Sequence, residues 1–109
     1  KLYAFILDKN SKNIISLDYN NQKSLINKLT GHQSDIKETS AILFELYQQL
    51  WQPFEGKITT KKIIIIPDEE LFNLSFETLT KAKINSFNEL ATASLLSEYY
   101  ISYNYSLFL

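Results

Sequence analysis

The chain has 109 residues, 45% of them apolar and 14% aromatic, with a formal charge of −1 from eleven cations and twelve acids. That composition excludes a disordered chain. Every cation is a lysine, so nothing supplies the arginine-bearing basic face that nucleic acid selects.

The length suits one domain or part of one, long enough to bury roughly 60–70% of its unfolded surface. There is no cysteine, hence no disulfide, no thiolate nucleophile and no zinc-thiolate site, which fits a cytoplasmic protein. No stretch approaches the roughly 18 apolar residues of a membrane span, and no signal-peptide pattern opens the sequence. The sequence starts directly on a strand pattern and stops on Leu107-Phe108-Leu109. Natural termini tend to run into polar residues, so a larger parent protein is expected.

Residues 2–8, LYAFILD, read as a buried strand. A polar turn, KNSKN, leads to a second strand at Asn13–Leu17, close enough for a β-hairpin. Asn20 or Asn21 caps a short helix carrying Leu25, Ile26 and Leu29, and Gly31 stops it. The next helix has the clearest pattern. Asp35 with Glu38 forms a capping-box-like start, and Ile36, Leu43, Leu46, Tyr47, Leu50 and Phe54 follow three- and four-residue spacings. Ile42 and Trp51 widen that stripe. Pro53 ends or kinks the helix at Gln52, and Gly56 turns the chain.

Four consecutive isoleucines, Ile63–Ile66, then predict a central strand covered on both faces. The strand stops at Pro67-Asp68 and gives way to a short helical or irregular segment with Leu71, Phe72, Leu74, Phe76 and Leu79. Thr80 to Asn85 reads as polar. Ser86 or Asn88 caps a last helix with Leu90, Ala91, Leu95 and Leu96. Tyr99–Tyr105 alternates as a strand. This order gives an α/β or α+β sandwich, and helical connections around the central strand favour a largely parallel sheet.

Candidate chemistry is sparse. His32 is the only histidine and has just Asp35 near it in sequence; a general base or a metal site needs more partners, so a surface-loop histidine is the plainer reading. Asp68, Glu69 and Glu70 form the one acidic cluster. Three carboxylates suit a hard cation, but adjacent residues point in different directions. Favourable placement at the start of a helical turn accounts for them more simply. A metal site there predicts a melting temperature that rises with divalent ion. Ser75 lacks the flanking glycines of a nucleophile elbow, and Gly31 and Gly56, the only glycines, cannot build a phosphate-cradling loop. Lys61-Lys62, the sole basic pair, reads as the solvated start of a strand. No cofactor is indicated.

The order of motifs carries more. Leu46-Tyr47, Leu50 and Pro53, followed by Ile63–Ile66, Pro67-Asp68, Leu71 and Ser75-Phe76 through Leu79, resemble the N-terminal half of a CHAT domain, the caspase-like domain associated with tetratricopeptide repeats. The segments Tyr3–Leu7, Ile14–Leu17 and Leu95–Ser106 match in order as well. Pro67, Asp68, Leu71, Phe76 and Leu79 carry the middle motif as structural residues. The chain departs from the pattern at Ser75, where proline is common, and at Glu69-Glu70, which replaces a Gly-x turn.

The resemblance implies a partial caspase-like three-layer sandwich over residues 1–109, with a mainly parallel sheet, an N-terminal hairpin and flanking helices. It implies that the catalytic His and Cys belong to a following half, so this chain is not itself an enzyme. The resemblance further implies that it acts as a scaffold or interaction surface in a bacterial peptidase or signalling protein. Its expected partners are the remaining half of that domain, tetratricopeptide repeats and itself, the isolated chain self-associating at a sheet edge left uncovered. The rival expectation is a self-contained α/β interaction module.

Overall fold

Among the described residues helix α2 (Ile36–Leu50) is the longest element and supplies the largest share of the buried core. It starts at Asp35 because that residue takes an extended backbone (φ −93°, ψ 104°) and its carboxylate accepts from the N–H groups of Lys37 (3.0 Å) and Glu38 (3.3 Å). Two donors that the first helical turn leaves unpaired are thereby satisfied. Its buried side, Ser40, Ile42, Leu43, Leu46, Tyr47 and Leu50, follows the helical spacing that the sequence shows. Pro53 does not send the chain straight into a loop. It opens a 3₁₀ turn, Gln52–Lys57, where a missing N–H costs nothing.

The computed structural model describes residues 2–7, 12–17, 21–31, 35–67, 71 and 74–104. Strands β1 (Leu2–Leu7) and β2 (Lys12–Leu17) form the expected antiparallel hairpin, in a register that sets Ala4 opposite Ile15. Ala4, Ile15 and Leu17 reach the core, while Ile14 faces solvent. Helix α1 (Gln22–Gly31) contributes Leu25 and Ile26 to that core. Strand β3 (Lys62–Ile65) pairs in parallel with β4 (Tyr100–Tyr103), setting Ile63 beside Ile101 and Ile65 beside Tyr103. The protein is thus a mixed α/β fold, but among the described residues its strands fall into two separate two-stranded sheets, one antiparallel and one parallel.

Trp51 lies at the centre, 1% exposed. Its ring sits tilted against Phe54 (5.3 Å between centroids), Tyr99 (5.4 Å) and Phe76 (6.4 Å), separations and tilts typical of favourable aromatic pairs. Leu46, Leu79 and Leu95 are fully enclosed around the same core.

Four expectations are corrected. The isoleucine run is covered on one side only, since Ile63 and Ile65 point to the core while Ile64 is 69% exposed. Among the described residues β3 is therefore not a central strand, because β4 is its single neighbour. The last helix is not continuous. A 3₁₀ turn (Phe87–Glu89) runs into the four-residue α3 (Leu90–Ala93), and a second 3₁₀ turn (Leu95–Ser97) follows. Ser94 breaks it by taking an extended backbone (φ −89°, ψ 166°) and bridging to Thr80, so that Leu95 N–H bonds Leu79 O (2.9 Å) and Lys81 N–H bonds Ala93 O (3.0 Å).

The 80–85 segment is not simply polar either. Thr80 and Ile84 are buried, and Ile84 N–H is held by the buried Ser40 hydroxyl of α2 at 2.7 Å. Finally, Gly56 lies inside the 3₁₀ turn without a positive φ, and a Cβ there would meet nothing within 4 Å. The turn is made by Pro53 and the helical backbone, and it does not depend on glycine.

Candidate interaction surface

A pleated strand sends alternate side chains to opposite faces, so the β3–β4 pair has two distinct sides. Ile63, Ile65, Ile101 and Tyr103 point inward. Lys62, Ile64, Tyr100 and Ser102 point outward, with Ile66 continuing the outward row past the strand end. Tyr100 is 76% exposed, and Ile66 is also open to solvent. Isolated exposed apolar residues are ordinary. Here three of them share one side of a parallel pair, an arrangement normally found covered on both faces.

A polar knot lies beside the entry to β4. Glu55, in the 3₁₀ turn, accepts a hydrogen bond from the Tyr47 hydroxyl at 2.6 Å and a longer one from Tyr99 at 3.4 Å. Lys81 lies 3.2 Å from the same carboxylate and 2.9 Å from Glu98. Burial, reinforced by Glu55, pushes the Tyr47 phenol up to about 12. The Lys81 ammonium is held charged above its ordinary range, first by Glu98 and then by Glu55, against the effect of burial. Tyr99 is raised by burial and the Glu55 charge. Among the described residues Trp51 Nε1, Thr80 Oγ1 and Gln49 Oε1 are buried without a hydrogen-bond partner. The groups of the knot join the end of α2, the 3₁₀ turn, the 81 segment and the start of β4. They contain no nucleophile paired with a base.

Of the motif residues singled out by sequence, Pro67 is buried, Leu71 is partly buried, and Phe76 and Leu79 belong to the core. Asp68, with Glu69 and Glu70, lies outside the described residues, as do His32 and Phe72. The motif is fastened to β4 through Tyr103, whose hydroxyl accepts from Phe76 N–H (2.8 Å) and donates to the Glu77 carboxylate. Ser75 is exposed and its carbonyl accepts from the Thr78 hydroxyl (2.7 Å), a turn role.

Sequence reasoning passed over Glu55, Lys81 and Ser40. A buried-stripe position occupied by serine, and several tyrosines that must find acceptors when packed, were the available signals. Among the described residues no three His, Cys, Asp or Glu side chains gather to hold a metal, and no helix is long and apolar enough to cross a membrane. No protein-family model, curated protein or solved structure matches the chain.

Proposed function

We propose that this chain is the non-catalytic N-terminal half of a CHAT-type, caspase-like domain in a cytoplasmic bacterial protein, working as scaffold and interaction surface beside a cysteine-peptidase half. The observation that carries the reading is a parallel strand pair covered on one face only. Parallel sheets belong to α/β folds with layers on both sides and several strands. A parallel pair that, among the described residues, has no third strand beside it fits a segment of a three-layer sandwich, to which further strands of the parent domain would add. The chain lacks a cysteine nucleophile, so the reading assigns it binding and support and no catalytic residue.

A second reading has its own observation. One hydrophobic core closes around Trp51 with Leu46, Leu79 and Leu95 fully enclosed, which favours a self-contained interaction module. The coding sequence after the Leu109 codon separates the two. The peptidase reading expects a His-Gly motif and, some tens of residues later, an Asp-x-x-x-Cys-type motif. It also expects that segment, expressed as a separate chain, to co-purify with residues 1–109. A stop codon directly after Leu109 refutes it and leaves the independent module.

A further inference from the structure

Residues 81–93 leave the body of the protein and return to it at a narrow neck. Thr80 bridges Ser94, Lys81 N–H bonds Ala93 O (3.0 Å), and Leu95 N–H bonds Leu79 O (2.9 Å). Lys81 Nζ adds a two-pronged bond to the Glu98 carboxylate, at 2.9 and 3.1 Å. Beyond the neck the segment closes bonds within itself. Asn85 N–H donates to the Glu89 carboxylate (2.8 Å), Glu89 N–H to Ser86 O (3.2 Å) and Leu90 N–H to Phe87 O. Close ends and internal bonding define an Ω-loop, and such self-contained segments are where a protein opens locally.

Little holds this loop down. Ile84 is 5% exposed yet stands apart from the hydrophobic cluster around Trp51, and its N–H is held by the Ser40 hydroxyl of α2 at 2.7 Å. Leu90 is half-buried against the core, while Ala82, Lys83 and residues 85–88 are exposed. The helical pieces inside the loop are a three-residue 3₁₀ turn and the four-residue α3. Elements that short do not persist without tertiary packing, so the loop keeps its shape only while Ile84 and Leu90 stay seated.

We infer that residues 81–93 form a flap that opens as one unit about the closed neck, with Ile84 on Ser40 as its latch. Because Ile84 lies outside the Trp51 cluster, lifting it bares the Ser40 side of α2 and leaves the main core closed. The fold thus carries a built-in cover over one side of its longest helix. This holds whether or not the chain belongs to a larger peptidase domain.

Native-state hydrogen exchange on the intact 109-residue chain, followed amide by amide by NMR from zero to low urea, tests the inference. The amides of Ile84, Asn85, Glu89 and Leu90 should exchange through one shared opening with a shallow urea dependence. Their protection should be at least about tenfold lower than that of Leu95 and of Leu46 in α2, whose amides wait for global unfolding. Ser40→Ala removes the latch acceptor and should speed all the flap amides together by at least about fivefold. Ile84→Val, which trims the latch by one methyl, should act in the same direction by about twofold or more. Ile26→Val, in α1, lowers global stability away from the flap. It should speed Leu46 and Leu95 by about twofold or more and leave the flap amides unchanged. Flap amides that exchange no faster than Leu46, or that follow Ile26→Val, overturn the inference, as does a Ser40→Ala effect confined to Ile84.

Discussion

Glu55→Ala removes the hub of the polar knot, and its cost can be worked from the contacts. The bond from the Tyr47 hydroxyl (2.6 Å) goes to a charged acceptor, and Tyr47 is only 4% exposed. Bonds of that kind contribute about 1.5–3 kcal/mol, and the stranded donor keeps its desolvation penalty. The Lys81 contact is a partly exposed ion pair whose cation retains Glu98, so it adds less than about 1 kcal/mol. The Tyr99 bond, at 3.4 Å, adds little. The total is about 2–3 kcal/mol, a large share of the 5–15 kcal/mol typical of a domain. At roughly 4–8 °C per kcal/mol for a chain of this size, Tm should fall by about 10–20 °C.

Urea and thermal melts at pH 7 on the wild type, Glu55→Ala, Tyr47→Phe and the double variant measure this. A coupling energy of about 1–2 kcal/mol between the two positions is expected. Glu55→Gln, which keeps an acceptor but not the charge, should lose less than half as much as Glu55→Ala. A loss below about 0.5 kcal/mol for Glu55→Ala, or strictly additive variants, would refute the reasoning.

The same contacts set the response to alkali. Tyr47 titrates at about 12 when folded against 10.0 as a free side chain, and Lys81 is also raised. Groups with raised folded values give stability that is complete below the unfolded pKa and is lost as pH climbs through the folded one. Tm should hold to about pH 9 and fall from about pH 10 upward, less steeply in Tyr47→Phe, as a differential-scanning series would show. In the core, Leu95 is fully enclosed while its neighbour Leu96 is exposed. Leu95→Ala should cost about 2–5 kcal/mol by chemical denaturation, and Leu96→Ala less than about 0.5 kcal/mol. Gly56→Ala should raise stability by about 0.4–1 kcal/mol, since the added Cβ meets nothing; a loss of stability would mean the turn needs glycine after all.

Periodic elements were legible because one physical rule governs each. The Asp35 cap and the Leu43-Leu46-Tyr47-Leu50 stripe gave α2 nearly to the residue, and two apolar stretches joined by a short polar link gave the hairpin. The isoleucine run misled because burial of a strand on both sides depends on what lies beyond it, and four identical residues carry no sign of which two face inward. The break at Ser94 was hidden for a different reason. Leu90, Ala91, Leu95 and Leu96 are compatible with a helix, and a tertiary bridge to Thr80 overrides that local preference. The knot was equally hidden, since Glu55 meets not only the nearby Tyr47 but also Lys81 and Tyr99 from distant parts of the chain. The candidate surface was legible only as an aliphatic run, and its exposure belongs to the folded pair.

The parallel pairing of β3 with β4 also sets an order of events in folding. The hairpin and the α1–α2 pair join neighbours along the chain, whereas Lys62 and Tyr100 meet only after the intervening segment has closed into a loop. Closure entropy must be met before such a contact returns any energy, so the β3–β4 pair should form late. The outward row of Ile64, Ile66 and Tyr100 is therefore complete as a surface only once that loop has closed. Any partner that recognises this face recognises a finished molecule, and docking there doubles as a check that the chain has folded.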